Sequence, residues 1–154
     1  MRILVVSDSH SDYFSLRKAV LAQPTASIIF HLGDCVEEFE KLMEEFPNKD
    51  FYRVRGNCDY FSNLPDKIIV TIEGKRILAT HGHIHNVKSE LETLYLAGKE
   101  SEADIIVFGH THVALTNYID GIHLLNPGSI RGYKGTYGII DITSAGIVTN
   151  TIEV

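Results

Sequence analysis

The sequence predicts an α/β protein in which sheets stack inside and helices lie outside. Three observations predict it. The first 57 residues alternate between apolar, β-branched runs and amphipathic helical stretches. The remainder carries three strand–turn–strand patterns, which read as antiparallel hairpins. The length of 154 residues suits one domain, residues 1–154, large enough to bury most of its apolar side chains.

The elements follow in order. "RILVVS" (2–7) is apolar throughout, as a strand buried on both faces should be. "YFSLRKAVLAQ" (13–23) sets Leu16, Ala19, Val20 and Gln23 at helical spacing; Ser11 or Asp12 can cap it and Pro24 stops it. "SIIFHLGD" (27–34) is a second strand. "VEEFEKLMEEF" (36–46) carries Val36, Phe39, Leu42, Met43 and Phe46 on one stripe, the mark of an amphipathic helix. "DFYRVRGN" (50–57) is a third strand, so this half requires parallel strands with helical crossovers. "KIIVTI" (67–72), "EGK" and "RILATH" (76–81) then form a hairpin. "KSELETLYLAGKE" (88–100) is helical in pattern, and "DIIVFG" (104–109) is another strand. Hairpins at 114–126, around Asp120–Gly121, and at 137–154 complete the chain.

Bulk properties exclude several classes. Apolar residues make up 44% and charged residues 22%. The net charge of −6 argues against an extended nucleic-acid surface. Its densest acid, "EEFEKLMEE" (37–45), reads as a solvated helix face. No apolar run reaches the roughly 18 residues of a membrane helix. "MRILVVSDSH" is too short in apolar residues for a signal segment, so the chain reads as cytoplasmic. Two cysteines, Cys35 and Cys58, make no disulfide framework.

The chemistry lies just past the strand ends. Asp8 and His10 follow the first strand, Asp34 the second and Asn57 the third. His81 ends the hairpin strand, and His110 and His112 follow the strand at 104–109. In open α/β sheets, ligands bind outside the carboxyl ends of the strands. Gly33, Gly56 and Gly109 each directly precede one of these residues and allow close approach of the backbone. Four imidazoles, two carboxylates and one amide are too many ligands for one ion. They suit two divalent metals about 3.5–4 Å apart with one carboxylate shared. Mixed nitrogen and oxygen donors favour Mn²⁺, Fe²⁺, Co²⁺, Ni²⁺ or Zn²⁺ over Mg²⁺ or Ca²⁺, and Mn²⁺ is taken as the first choice. With a shared hydroxide, such a site carries a charge of about +1, which attracts phosphate and supplies a nucleophile near neutral pH.

"D-S-H", "G-D", "G-N-C-D", "H-G-H" and "G-H-T-H", in this order, resemble the calcineurin-like metallophosphoesterase superfamily, and its small single-domain phosphodiesterase branch in particular. The resemblance runs from Asp8 to the "NPGS" at 126–129. It implies a four-layer α-β-β-α sandwich with two central mixed sheets. It also implies a small phosphodiester substrate, attacked by a hydroxide bridging two metals. Asp8, His10 and His112 would hold the first metal, Asn57, His81 and His110 the second, and Asp34 would bridge. Asp34, Asn57 and His81 are the residues assigned to catalysis. Many members carry histidine after the asparagine, where it helps protonate the leaving group; here Cys58 stands there. A neutral thiol, with an ordinary pKa of about 8.5, is a poor acid at pH 7. Turnover should therefore depend steeply on the leaving group. A homodimer would suit the family. Two other readings stay open: a non-catalytic retromer-type scaffold of the same fold, and a phosphomonoesterase or nucleotidase.

The remaining candidates divide. His83, Cys58 and Arg131 are assigned to substrate contact, Arg131 because a guanidinium can grip phosphate through two hydrogen bonds. His31 and His123 read as satisfied structural histidines, and His85 also reads away from the site. Ser129 reads as a loop residue, and Tyr13 and Tyr60 as packing rather than stacking groups. Cys35 and Cys58 read as small fillers, with joint oxidation at the site rim as the sharper alternative.

Overall fold

The computed structural model describes residues 1–34 and 37–154; Cys35 and Val36, and with them the cysteine-pair reading, lie outside the described residues. Among the described residues, ten strands and three α-helices follow in the order β1 (Arg2–Val6), α1 (Tyr13–Ala22), β2 (Ala26–His31), α2 (Glu37–Glu45), β3 (Asp50–Arg53), β4 (Lys67–Ile72), β5 (Lys75–Thr80), α3 (Glu92–Glu100), β6 (Ile105–Val107), β7 (Ala114–Ile119), β8 (Ile122–Pro127), β9 (Thr136–Thr143) and β10 (Gly146–Glu153). One sheet runs β10-β9-β1-β2-β3 and the other β4-β5-β6-β8-β7. Both are mixed. Strands β1, β2 and β3 are parallel, as are β5, β6 and β8, while β9 pairs antiparallel with β1.

The period-2 alternation of side chains sorts them into layers. Ile3, Val5, Ile28 and Phe30 of one sheet meet Ile77, Ala79, Ile105 and Val107 of the other in a central core. Their neighbours Leu4, Val6 and Ile29 turn the opposite way, onto Leu16, Ala19 and Val20 of α1 and Phe39 and Leu42 of α2. Leu78, Ile106 and Phe108 turn onto Leu94, where α3 packs. Strands that alternate between two buried faces must be apolar at every position, and that is why β1 and β6 lack the polar alternation of a half-exposed strand. The result is the expected α-β-β-α sandwich. Burying each Leu, Ile or Phe contributes roughly 1.5–3 kcal/mol.

The starts of two helices are set by local hydrogen bonds. Asp12, rather than Ser11, caps α1: its Oδ1 accepts from Ser15 N at 3.0 Å and its Oδ2 from Ser15 Oγ at 2.8 Å. Helix α3 starts at Glu92, not Lys88. Asn86 turns left-handed (φ 53°), and Glu90 accepts from Glu92 N at 2.6 Å and from Thr93 Oγ1 at 2.8 Å, which nucleates the helix one turn later.

Candidate metal centre

Pairing stops early at the ends of β1, β2, β3 and β6, and the ligand candidates sit one to five residues beyond the last paired residue of their strands. They ride on turns that join the carboxyl edges of the two sheets. Gly109 N donates to His81 O at 3.1 Å, Asp8 N to Gly33 O at 3.0 Å, and Ile130 N to Ser7 O at 3.1 Å. Five of the seven candidates adopt left-handed backbone without being glycine: Asp8 (φ 54°), His10 (44°), Asp34 (61°), His110 (68°) and His112 (60°). Such conformations cost about 1–3 kcal/mol each and cluster where function requires them. The glycines work mainly through proximity. A Cβ on Gly56 would stand 2.1 Å from Asp34 Oδ1, and one on Gly109 2.0 Å from Ser7 Oγ. Only Gly33 adds a positive φ of 98°.

The side chains form two groups: Asp8, His10 and His112, and Asp34, His81 and His110, with one donor atom from each residue within 4.8 Å of the others in its group. The three residues that the resemblance assigns to the first ion stand together, as do His81 and His110 of the second, while Asp34, the expected shared ligand, joins the second group only. His110 and His112 therefore point into different groups although one residue separates them. Asp34 falls with the second group. Asp8 Oδ1 lies toward both, 3.0 Å from His112 Nε2 and 3.9 Å from His81 Nε2. Asn57, on the exposed side of the second group, sets its Oδ1 3.0 Å from His81 Nε2.

His81 is aimed from behind. Its Nδ1 donates to Leu32 O at 2.7 Å, so Nε2 is the atom presented to the site. There it meets Asn57 Oδ1, His110 Nδ1 at 3.1 Å and Asp34 Oδ2 at 3.5 Å. Burial opposes charge on His81, but the Asp34 hydrogen bond and the Asp8 and Asp34 carboxylates outweigh it and raise its pKa. Burial likewise opposes charge on Asp34, yet His81 and the Cys58 N–H, 2.8 Å from Oδ1, hold its carboxyl well below the usual range. His110 is pushed down to about 4, by burial first and then by the charges of His81 and Lys88, so its imidazole is neutral at pH 7.

The donor set fits divalent cations. Asp8 Oδ2 accepts from Ser7 Oγ at 2.6 Å and from His110 N at 3.1 Å. Asp8 Oδ1 is buried and, among the described residues, has no correctly oriented hydrogen-bond donor. A buried carboxylate oxygen without a donor is expensive unless a cation meets it. The acceptor atoms gathered around His81 Nε2 require positive charge for the same reason.

The other candidates separate around this centre. His83 stacks beside it, its ring 5.4 Å from that of His81 and 6.2 Å from that of His110, with Nε2 3.8 Å from Asp66 Oδ1. Cys58 is exposed next to Asn57, whose Nδ2 lies 3.5 Å from its Sγ. Arg131 lies on the loop after β8, where its charge acts on Asp12; among the described residues no hydrogen bond or ion pair joins its side chain to the seven candidates. His31 is structural: buried, with Nδ1 accepting from Gly33 N at 3.2 Å and Nε2 donating to Ser9 Oγ at 3.1 Å. His123 packs on Tyr118 with ring centroids 4.6 Å apart, and Tyr13 joins α1 to Glu45 of α2. Ser129 Oγ donates to Asp8 O at 2.8 Å, a loop-holding role.

Two residues escaped the sequence reading. Buried Asp59 accepts from Asp34 N at 2.8 Å and Gly56 N at 2.7 Å, pinning two ligand-bearing turns with one carboxylate oxygen. Buried Asn126 donates to Gly109 O at 3.0 Å and Thr111 Oγ1 at 2.9 Å, holding the turn between His110 and His112. Asp59 stood within "GNCD", and its place two residues after the third strand's ligand candidate was the available signal.

The fold and the two ligand groups define a metal-dependent phosphoesterase type of site. The chain belongs to the calcineurin-like phosphoesterase superfamily, whose domain model matches residues 1–145. It is similar to a probable metallophosphoesterase, YsnB, of Bacillus subtilis, 35% identical over 85% of this chain and 76% of that one. Phosphodiesterase MJ0936 of Methanocaldococcus jannaschii is 29% identical, with 92% and 93% covered. Vacuolar protein sorting-associated protein 29 of Schizosaccharomyces pombe is 32% identical, with 92% and 78% covered. Among solved structures, a predicted phosphoesterase of Streptococcus pneumoniae superposes with a TM-score of 0.84 at 27% identity, over 99% of this chain and 88% of that one.

Proposed function

We propose that this chain is a cytoplasmic phosphodiesterase that holds two divalent ions, Mn²⁺ first among them, and hydrolyses a small phosphodiester. The observation that carries this reading is the buried Asp8 Oδ1, without a donor among the described residues and set between two groups of ligands. When bound, a pair of divalent ions supplies charge for phosphate oxygens and acidifies water toward neutral pH. Asp8, His10 and His112 form the first seat and Asn57, His81 and His110 the second, with Asp34 shared. Leu32 O fixes the His81 ring so that Nε2 faces the second seat. Asp34, fully ionised, stays a ligand rather than becoming a proton donor at pH 7. His83, kept neutral mainly by its burial, stands close enough to the second seat to face a substrate oxygen, with Cys58 and Arg131 on the rim.

The test is hydrolysis of bis-p-nitrophenyl phosphate and of p-nitrophenyl phosphate, side by side, after loading with Mn²⁺. Faster turnover of the diester is expected, with loss on chelation. Faster turnover of the monoester would make the chain a phosphomonoesterase instead. A scaffold role is the second reading, favoured by the sorting-protein relative at 32% identity. Inertness toward both esters with each of five divalent metals, together with a stable protein partner, would establish it.

A further inference from the structure

A groove of about 740 Å³ opens beside the metal centre, between α2 and the loop at 58–64. Its volume is in the range of small-molecule sites. Two of its lining residues tie it to the centre. Ser11 directly follows His10 of the first ligand group, and Cys58 directly follows Asn57 of the second. The groove therefore lies alongside the ligand groups, next in the chain to one residue of each, within reach of a group attached to a phosphate held there.

The wall is unusual in two respects. Tyr60 is 78% exposed and Phe61 wholly exposed, side by side on the loop that delivers Asn57. Single exposed apolar residues need no explanation, but two adjacent rings along a groove beside the candidate metal centre offer a stacking platform. The charged groups opposite are already engaged. Glu38 Oε1 accepts from Ser9 Oγ and from Ser11 N, each at 2.7 Å, and Glu40 pairs with Arg53 at 3.3 Å. Glu38, Glu40 and the buried Asp59 against Arg53 leave the groove negative. That disfavours an arm bearing a further phosphate and admits an uncharged one.

We propose that this groove receives a flat, uncharged aromatic ring carried on one ester arm of the phosphodiester. The proposal rests on the phosphodiesterase reading and adds a substrate class to it. Tyr60 and Phe61 supply the stacking faces, and such stacking raises affinity about tenfold per ring.

Calorimetric titration of the Mn²⁺-loaded protein tests this through binding, with chromatography of each sample confirming that the diester stays intact during the run. Diphenyl phosphate and dicyclohexyl phosphate share a charge and a ring size, but only the first is flat. Diphenyl phosphate should bind about tenfold more tightly. The double variant Tyr60→Ala/Phe61→Ala should erase that difference and still bind inorganic phosphate, which reaches only the metals. Equal affinities in the parent protein, or a preference that survives in the double variant, would overturn the proposal. So would a parent dimer that the double variant converts to monomers, since the rings would then belong to an interface between copies. Thymidylyl-thymidine in a third arm separates the sources of the ring: tighter binding than diphenyl phosphate assigns it to a nucleobase, weaker binding to a simple aryl ester. Absence of inorganic phosphate binding by the loaded parent would remove the phosphoesterase reading itself, and this proposal with it.

Discussion

Cys58 stands at the rim of the site beside Asn57, at the position where a histidine would offer a proton to the departing oxygen. A thiol does this poorly at neutral pH. The rate of the parent protein should therefore fall steeply as the leaving group's pKa rises across a series of aryl and alkyl diesters. Cys58→His should flatten that slope and leave the nitrophenyl ester least affected; equal slopes would show that residue 58 takes no part in leaving-group departure. The two histidines of "GHTH" allow a second residue-scale expectation. Because His110 and His112 face different ligand groups, His112→Ala should lower bound Mn²⁺ from about two ions per chain to about one, measured by elemental analysis after gel filtration. A drop to zero would mean that one seat cannot fill without the other.

At the scale of elements, the loops rather than the strands carry the precision of the site. One oxygen of Asp59 accepts the N–H groups of Asp34 and Gly56, so one side chain holds the turns after β2 and β3 in register. Asp59→Ala leaves both N–H groups buried without that acceptor, at a cost of about 2–4 kcal/mol. Urea denaturation should show the loss as a lower midpoint at unchanged slope, and diester hydrolysis should fall with it. Asp59→Asn, which keeps one acceptor oxygen, should retain much of the stability. A midpoint within error of the parent would mean that the turns are held elsewhere. This is also where legibility in the sequence stopped. Strands such as Ile3–Val6 and Ile105–Val107 were readable because burial on two faces demands unbroken apolar runs, and the ligands were readable because imidazoles and carboxylates at strand ends have few other uses. The left-handed turns at Asp8, Asp34, His110 and His112 were not readable. Nothing in a residue's own propensity announces a strained φ imposed by hydrogen bonds from distant segments, such as those made by Asn126 and Ser129. Likewise the 88–100 helical pattern was correct in type, but local competition by Glu90 set its start at Glu92.

Across the whole molecule, the site is a load on folding that bound metal relieves. The chain keeps five non-glycine residues in left-handed backbone and a buried carboxylate oxygen without a donor among the described residues. Metal binds the folded state, so Mn²⁺ at about 100 times its dissociation constant should add about 2.7 kcal/mol per ion. For a chain of this size, each kcal/mol shifts the melting temperature by about 2–4 °C. A rise of about 5–10 °C per ion is therefore expected in a thermal scan. Asp8→Asn separates the load from its relief. An amide oxygen in the place of Oδ2 keeps the bonds from Ser7 and His110, and an uncharged amide nitrogen replaces the buried Oδ1. The metal-free variant should thus melt above the metal-free parent, with a gain of about 1–2 kcal/mol from removing a buried carboxylate oxygen that lacks a hydrogen-bond donor. It should show little further rise with Mn²⁺ and little hydrolysis. Stability gained where activity is lost is the expected exchange at a site built for function. A variant that melts below the parent without metal would mean that the Asp8 carboxylate is already well satisfied in the fold, and the argument for cations at that oxygen would lose its main support.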